Sequence, residues 1–242
     1  MRAIADTHTH TIASGHAFGT IMENAAAAKA KGLRFLCVTD HTESIPDAPH
    51  ELYFRGLFKM LPEEVNGVYL LSGCEVNVLD ETGALDLSER TLEGLNWVIA
   101  SMHTLSTKEM TVDECTQAWL NIAQNPNVDV MGHLGDERFP FDHERVIAAC
   151  AKYNKIVEIN AHSPKTRPGS VENCRVIARL CAKHRVPVVL STDAHFPTAV
   201  GVLDVSIRLV EEINFPQELI LNIDEKRFAK VLTEKTGRVF EV

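Results

Sequence analysis

The sequence predicts an α/β chain built on a parallel sheet, closed or nearly closed into a barrel, with an open doubly wound sheet as the alternative. Three observations predict it. Short apolar runs alternate with longer amphipathic ones along all 242 residues. The runs FLCVTD, WVIASMH and PVVLSTDAH are apolar almost throughout, as strands covered on both faces by helices must be. No Pro/Gly/Ser-rich linker and no low-complexity tract divides the chain, so residues 1–242 are expected to form one domain.

Seven strands are expected, near 3–8, 34–40, 68–77, 97–102, 128–132, 156–160 and 187–192. Helices fill the gaps. Thr20 and Glu23 make a capping-box pair that opens a helix over 20–31, and Gly32 stops it. Thr111 and Glu114 repeat the signature ahead of a helix to about 124. Asp142 opens another to about 153. A helix from Ser170 puts Cys174, Ile177, Ala178 and Cys181 on one face. A last helix near 225–236 turns Phe228, Val231 and Leu232 inward.

Composition narrows the function. The apolar fraction, 45%, supports a large core, and no apolar run is long enough to cross a bilayer. The amino end lacks a basic segment followed by an apolar one, so no cleaved signal is expected. The six cysteines form no CxxC pair and sit mostly in apolar runs. That is the pattern of reduced core thiols and of a cytoplasmic location. A net charge of −9 disfavours tight binding to long nucleic acid, although bound cations would offset it. Homo-oligomerisation is left open.

The eleven histidines are informative by position. In parallel α/β folds, sites form at the carboxyl ends of the strands. Strand one ends DTHTH, strand two TDH, strand four SMH, strand five GH and strand seven TDAH, while strand three carries GCEVN and strand six EINAH. A lone strand-end histidine is usually a hydrogen-bonded structural residue. Six of seven strand ends bearing one, all at the functional end, is a different matter. Alternation along a strand makes His8 converge with His10, and Asp193 with His195. So many imidazoles and carboxylates, packed together, call for cations. The donor types suit zinc, and also manganese or iron. One ion takes about four ligands; roughly twice that many suggests more than one ion. His143 and His184, on helices, are expected to be solvated.

With these residues in view, the chain resembles the PHP (polymerase and histidinol phosphatase) family. DTHTH, His16, TDH, the strand-three Glu75, the isolated His103 and His133, and the closing D-x-H carry the resemblance, from Asp6 to about Asn222. Within the family it is most similar to the stand-alone bacterial phosphatases of the YcdX-like type, with APHEL and RPGSVENCR as further support. The resemblance implies a single distorted TIM-like (β/α)7 barrel and a trinuclear metal centre. One ion would take His8, His10, Glu75 and Asp193; a second Glu75, His103 and His133, with Glu75 bridging. A third would take His16, His41 and His195. His162 is assigned to none of them.

The implied activity is that of a metal-dependent phosphatase, hydrolysing a small phosphomonoester by attack of a metal-activated hydroxide. Glu75, Asp193, His195 and Arg167 are the residues placed in the chemistry itself. Asp6 and Asp40 are cast as acceptors for ligand imidazoles, with loop capping as the alternative for Asp40. Arg138, Lys165 and Arg167 are candidates to grip phosphate, and His50 to sit in a lid. Rival readings are histidinol-phosphate hydrolysis, a PHP-type nuclease, an amide hydrolase and a non-catalytic metal-binding protein. The amide hydrolase is disfavoured because no lysine stands at a strand end.

Overall fold

A computed structural model describes residues 1–242. Its strands are β1 (Ala5–Thr9), β2 (Phe35–Val38), β3 (Glu64–Val65), β4 (Val68–Asn77), β5 (Trp97–Ser101), β6 (Val130–Met131), β7 (Ile156–Asn160) and β8 (Val188–Ser191). Its helices are α1 (Ile21–Ala30), α2 (Glu51–Met60), α3 (Glu89–Gly94), α4 (Val112–Gln124), α5 (His143–Lys152), α6 (Ser163–Thr166), α7 (Ser170–His184), α8 (Asp204–Glu212) and α9 (Glu225–Thr236). Seven strands run parallel in the order β1-β2-β4-β5-β6-β7-β8, and β3 hangs antiparallel on β4. The seven expected strands are all present, and β6, with two residues, is the shortest of them. Both capping boxes form, Thr20 with Glu23 and Thr111 with Glu114. The α7 face carries the expected Cys174, Ile177, Ala178 and Cys181. All six cysteines are buried free thiols. No helix is long and apolar enough to cross a membrane.

Helices α2, α3, α6 and α8 were not expected from the sequence. Two start without a usual cap residue, α2 after His50 and α8 after Leu203; α3 follows Ser88 but is only six residues long with no side-chain cap bond, and α6 spans four residues. His50 accepts from the Leu52 amide at 3.3 Å. It caps α2, and it is not among the residues lining the cleft over the cluster, where a lid residue was expected. His143 and His184 are half-buried instead of solvated, the first edge-on to Phe141 and the second 2.7 Å from Glu144.

The barrel closes between β1 and β8 without a ladder of its own; a single bridge joins Thr9 to Ala194. Side chains complete the seam. Asn222 donates to the carbonyls of Ala5 and Leu190 and accepts from the Leu190 amide, at 2.7–3.0 Å. Asp6 accepts from Thr192 N and Oγ1 and from Gly201 N. Asp6 thus seals the wall and touches no imidazole, contrary to the role expected of it.

Inside the barrel, Ala5, Phe35, Cys37, Leu71, Trp97, Ile99, Val130, Ile156 and Val189 form a packed plug, closed at the amino ends of the strands by Phe228 and Leu232 of α9. This interior sets the site. Side chains alternate along a strand, so residues an even number of places beyond these plug residues also face inward. His41 follows Cys37, Glu75 follows Leu71, His103 follows Ile99, Glu158 follows Ile156 and Asp193 follows Val189, each by two or four residues. All of them emerge at the carboxyl mouth.

Candidate metal centre

Three ligands, at two places in the chain, break the alternation. A register shift between Asp6 and Thr9 changes the parity of β1, turning His8 and His10 inward although Ala5 already faces in. His133 takes a left-handed backbone, φ 52°, just beyond β6. Asp193 is also left-handed, φ 54°. Asp193 and His195 do meet, with His195 Nδ1 3.5 Å from Asp193 Oδ1. A turn past the end of β8 brings them together, not strand alternation. Left-handed backbone at residues with a Cβ costs about 1 kcal/mol or more, a cost that persists where the surroundings enforce it.

Glu75 lies at the centre and is wholly buried. Five imidazoles approach it: His41 Nδ1 at 2.8 Å, His133 Nε2 at 3.1 Å, His103 Nε2 at 3.2 Å, His8 Nε2 at 3.4 Å and His10 Nε2 at 3.6 Å. Asp193 adds a second carboxylate, 3.0 Å from His10 and 3.5–3.6 Å from His133 and His8. Two ligand atoms on one tetrahedral zinc stand about 3.3 Å apart, given Zn–N bonds of about 2.0–2.1 Å. The spacing observed is of that size. His16 and His195 stack above, their ring centres 4.9 Å apart, and His16 lies 5.0 Å from His41. All nine predicted ligands therefore meet at one mouth. Sets within mutual reach include His10, His41 and His195; His8, His10 and Glu75; and His41, Glu75 and His103.

The outer ring nitrogens are tied back, which decides where the lone pairs point. His8 Nδ1 donates to Glu158 at 2.6 Å. His103 Nδ1 faces Asn77 Oδ1 at 2.8 Å, and His133 Nδ1 faces Ser163 Oγ at 3.0 Å. The Ser14 hydroxyl donates to Asp40, so its oxygen is free to accept from His10 Nδ1. Asp40 acts through Ser14 and also accepts from Thr11 and Tyr53; it touches no ring itself. The direct imidazole partners are thus Glu158, Asn77, Ser163 and Ser14, in place of the expected Asp6 and Asp40. Of these, Glu158 was visible in EINAH and Asn77 in GCEVN, but nothing in one sequence tells which group meets which ring.

Two consequences test whether cations fit. With both rings neutral and protonated at Nδ1, the Nε2 atoms of His8 and His10 meet at 3.1 Å with lone pairs that a cation between them would accept; without an ion, a proton on His8 Nε2 bridges the pair. The buried polar atoms without a hydrogen-bond partner include both Glu75 oxygens, His41 Nδ1, His103 Nε2, His133 Nε2 and Asp193 Oδ1. Leaving so many unsatisfied is costly, and they are the atoms that converge. The donors present fit divalent ions.

Electrostatics agree. Burial, reinforced by neighbouring His41, holds His10 well below the ordinary imidazole range. Burial likewise pushes His103 down to about 4 against the pull of Glu75. Both are neutral imidazoles, the ligand form. Burial alone would raise Glu75 and Asp193, but the surrounding histidines outweigh it and hold both well below the carboxylate range. For His8, burial is outweighed by Glu158, Glu75 and Asp193, and its pKa rises.

Above the cluster opens a cleft of about 410 Å³ whose walls include His16, His41, His103, His162, Arg138 and Arg167. Lys165 is exposed and outside this lining. Asp136, buried, accepts from Arg138 at 2.6–3.1 Å and from Arg167 Nη1 at 3.4 Å. It ties two cations to the rim, a link that sequence spacing does not reveal.

Comparison with known proteins gives a consistent result. The sequence model for the PHP domain matches residues 6–162. A protein named probable phosphatase in Caldanaerobacter subterraneus subsp. tengcongensis is 45% identical over 241 residues, covering 99% of this chain and 94% of its own. Another in Acetivibrio thermocellus is 40% identical over 239 residues, covering 99% of both. Among solved structures, a histidinol phosphate phosphatase from Lactococcus lactis, complexed with zinc, L-histidinol and phosphate, superposes with a TM-score of 0.61. It is 18% identical and covers 89% of this chain and 95% of its own, which shows a shared fold.

Proposed function

The chain belongs to the PHP family, and from that premise we propose that it is a metal-dependent phosphatase acting on a small phosphomonoester at a trinuclear centre. The observation that carries the reading is the set of buried, partnerless ligand atoms around Glu75 and Asp193. The names of the bacterial relatives support it. His8, His10, Glu75 and Asp193 would hold one ion; Glu75, His103 and His133 a second; His16, His41 and His195 a third. A histidine-rich donor set without cysteine favours zinc, with manganese or iron as substitutes. When bound, such ions lower the pKa of water and neutralise charge on phosphate oxygens.

The chain's own residues do the rest. Glu75 spans two ligand sets and fixes their separation. Asp193 and His195 join the inner and outer groups. The cleft is small, and Ile45 and Leu105 are the only hydrophobic residues in its lining, which suits a compact phosphorylated metabolite better than a polymer. Arg167 lines the cleft and commits only Nη1 to Asp136, leaving guanidinium donors for a phosphate oxygen.

The test is to strip the protein with a chelator, reload it with zinc or manganese, and offer phosphomonoesters, phosphodiesters and amides. Loaded protein is expected to contain about three ions per chain and to hydrolyse phosphomonoesters, while stripped protein is inactive. Turnover of amides alone would overturn the phosphatase reading, and no turnover at all would favour a metal-binding protein. Arg167→Ala is expected to raise KM with a smaller change in kcat. Hydrogen bonds to charged groups contribute about 1.5–3 kcal/mol, equivalent to roughly 10- to 150-fold. An unchanged KM would remove Arg167 from the phosphate site.

A further inference from the structure

We infer that Asp86 is a positioning residue for the metal centre: it fixes the amide of Asn77, which in turn fixes the His103 tautomer so that Nε2 carries the lone pair. The inference rests on the metal-centre reading above. Asp86 lies outside the ligand set, on the segment after β4. A bridge between Val78 and Leu85 folds that segment back beside Asn77. Asp86 accepts four hydrogen bonds: from Thr42 Oγ1 at 2.6 Å, Ser44 N at 2.9 Å, Asn77 N at 2.9 Å and Asn77 Nδ2 at 2.7 Å.

The direction of these bonds matters. A carboxylate only accepts, so the Asn77 NH2 must face Asp86. The Asn77 oxygen then faces the other way, where Ser106 Oγ donates to it at 2.8 Å and His103 Nδ1 lies at 2.8 Å. An oxygen there requires the proton on Nδ1. His103 Nε2, 3.2 Å from Glu75 and otherwise partnerless, is left as the donor atom for an ion. A reversed Asn77 would place NH2 against Nδ1, move the proton to Nε2 and block the ligand. The same carboxylate also braces Thr42 and Ser44, just past His41, so it organises two ligand-bearing segments together.

The experiment is long-range 15N–1H NMR of the histidine rings, paired with zinc-affinity titration against a competing chelator. Wild type is expected to show His103 protonated at Nδ1 and zinc held at Nε2. Asp86→Asn, in which residue 86 can now donate, is expected to give mixed tautomers for His103 and to weaken zinc binding by about tenfold or more. Ser106→Ala leaves the orienting carboxylate in place and should keep the Nδ1 tautomer. The exchange Asp86→Asn with Asn77→Asp restores an acceptor facing His103 and a donor behind it, and should recover zinc affinity. A merely structural Asp86 would not be rescued by that exchange.

The inference is overturned if wild-type His103 is protonated at Nε2. It is also overturned if Asp86→Asn leaves tautomer and affinity unchanged, or if the exchange fails to restore them. Should Asp86→Asn not fold, the wild-type tautomer and the exchanged pair decide. Wild-type protein that binds no zinc would instead sink the metal-centre reading, so the two failures are distinguishable.

Discussion

Glu75→Ala is expected to abolish turnover, lowering kcat/KM by at least about 10³-fold. Losing one transition-state donor in an enzyme typically costs about 10²–10³, and Glu75 is a shared anchor for several such groups. Five imidazoles stand 2.8–3.6 Å from its two oxygens. Without it, the His103 and His133 pair loses the carboxylate that completes its set, and the link to the His8 and His10 group is cut. Elemental analysis of the variant should show a loss of bound ions parallel to the loss of rate. Glu75→Gln keeps the shape but removes the charge, and it should fail nearly as badly. A variant with near-normal rates would show that no bridging carboxylate is needed.

Glu158→Gln is the second large effect, although Glu158 is not a proposed ligand. Its Oε1 accepts from His8 Nδ1 at 2.6 Å and Ser191 Oγ at 2.7 Å, and its Oε2 accepts from the His133 amide at 3.0 Å. Glutamine has one oxygen for these donors, so its NH2 must face an N–H or O–H. Loss of such support for a ligand typically costs 10- to 100-fold in metal affinity, and that range is expected in a zinc titration. Breaking a buried charged pair by removing one partner costs about 3–5 kcal/mol, which denaturant unfolding of stripped protein would register. Wild-type affinity in the variant would make Glu158 a packing residue only.

The pH dependence of the stripped protein gives a second readout. Burial alone would raise Glu158, but His8 and His133 outweigh it and hold its pKa at about 2 against an ordinary 4.5. A depressed carboxylate contributes stability that is complete above its unfolded pKa and lost as pH falls through its folded one. Wild-type protein should therefore lose more stability than Glu158→Gln as pH drops from 4.5 to about 2. Parallel losses in the two proteins would contradict this pairing.

Much of the site was legible in the sequence because barrel strands alternate with period two. A reader who knows that Cys37, Leu71, Ile99 and Val189 face inward can place His41, Glu75, His103 and Asp193 beside one another by counting in twos. Histidine at six strand ends then points to metal. The count fails at His8 and His133, where a register shift and a left-handed residue change the parity. Gly132 stands directly before His133, but no glycine or proline marks the shift within β1. The roles given to Asp6 and Asp40 failed for a related reason. An aspartate near a ligand histidine invites pairing with it, yet Asp40 is the immediate neighbour of His41 and faces away from it, and the register shift after Asp6 turns Asp6 to the seam with Thr192 and Gly201 while His8 faces inward.

By itself, then, the chain's pattern of apolar runs and strand-end polar residues determined the parallel α/β arrangement and the mouth that carries chemistry, because both follow from local periodicity, while the full set of nine candidate ligands, His16 among them, came with the family resemblance. Only the tertiary structure decided which groups hold the ligands in place. Glu158 on His8, Asn77 on His103, Asp86 on Asn77 and Asp136 on its two arginines join segments as far apart as 150 residues. Such pairs depend on how strands are staggered around the barrel and where loops fold back, and a side chain's hydrogen-bond partner leaves no period in the sequence.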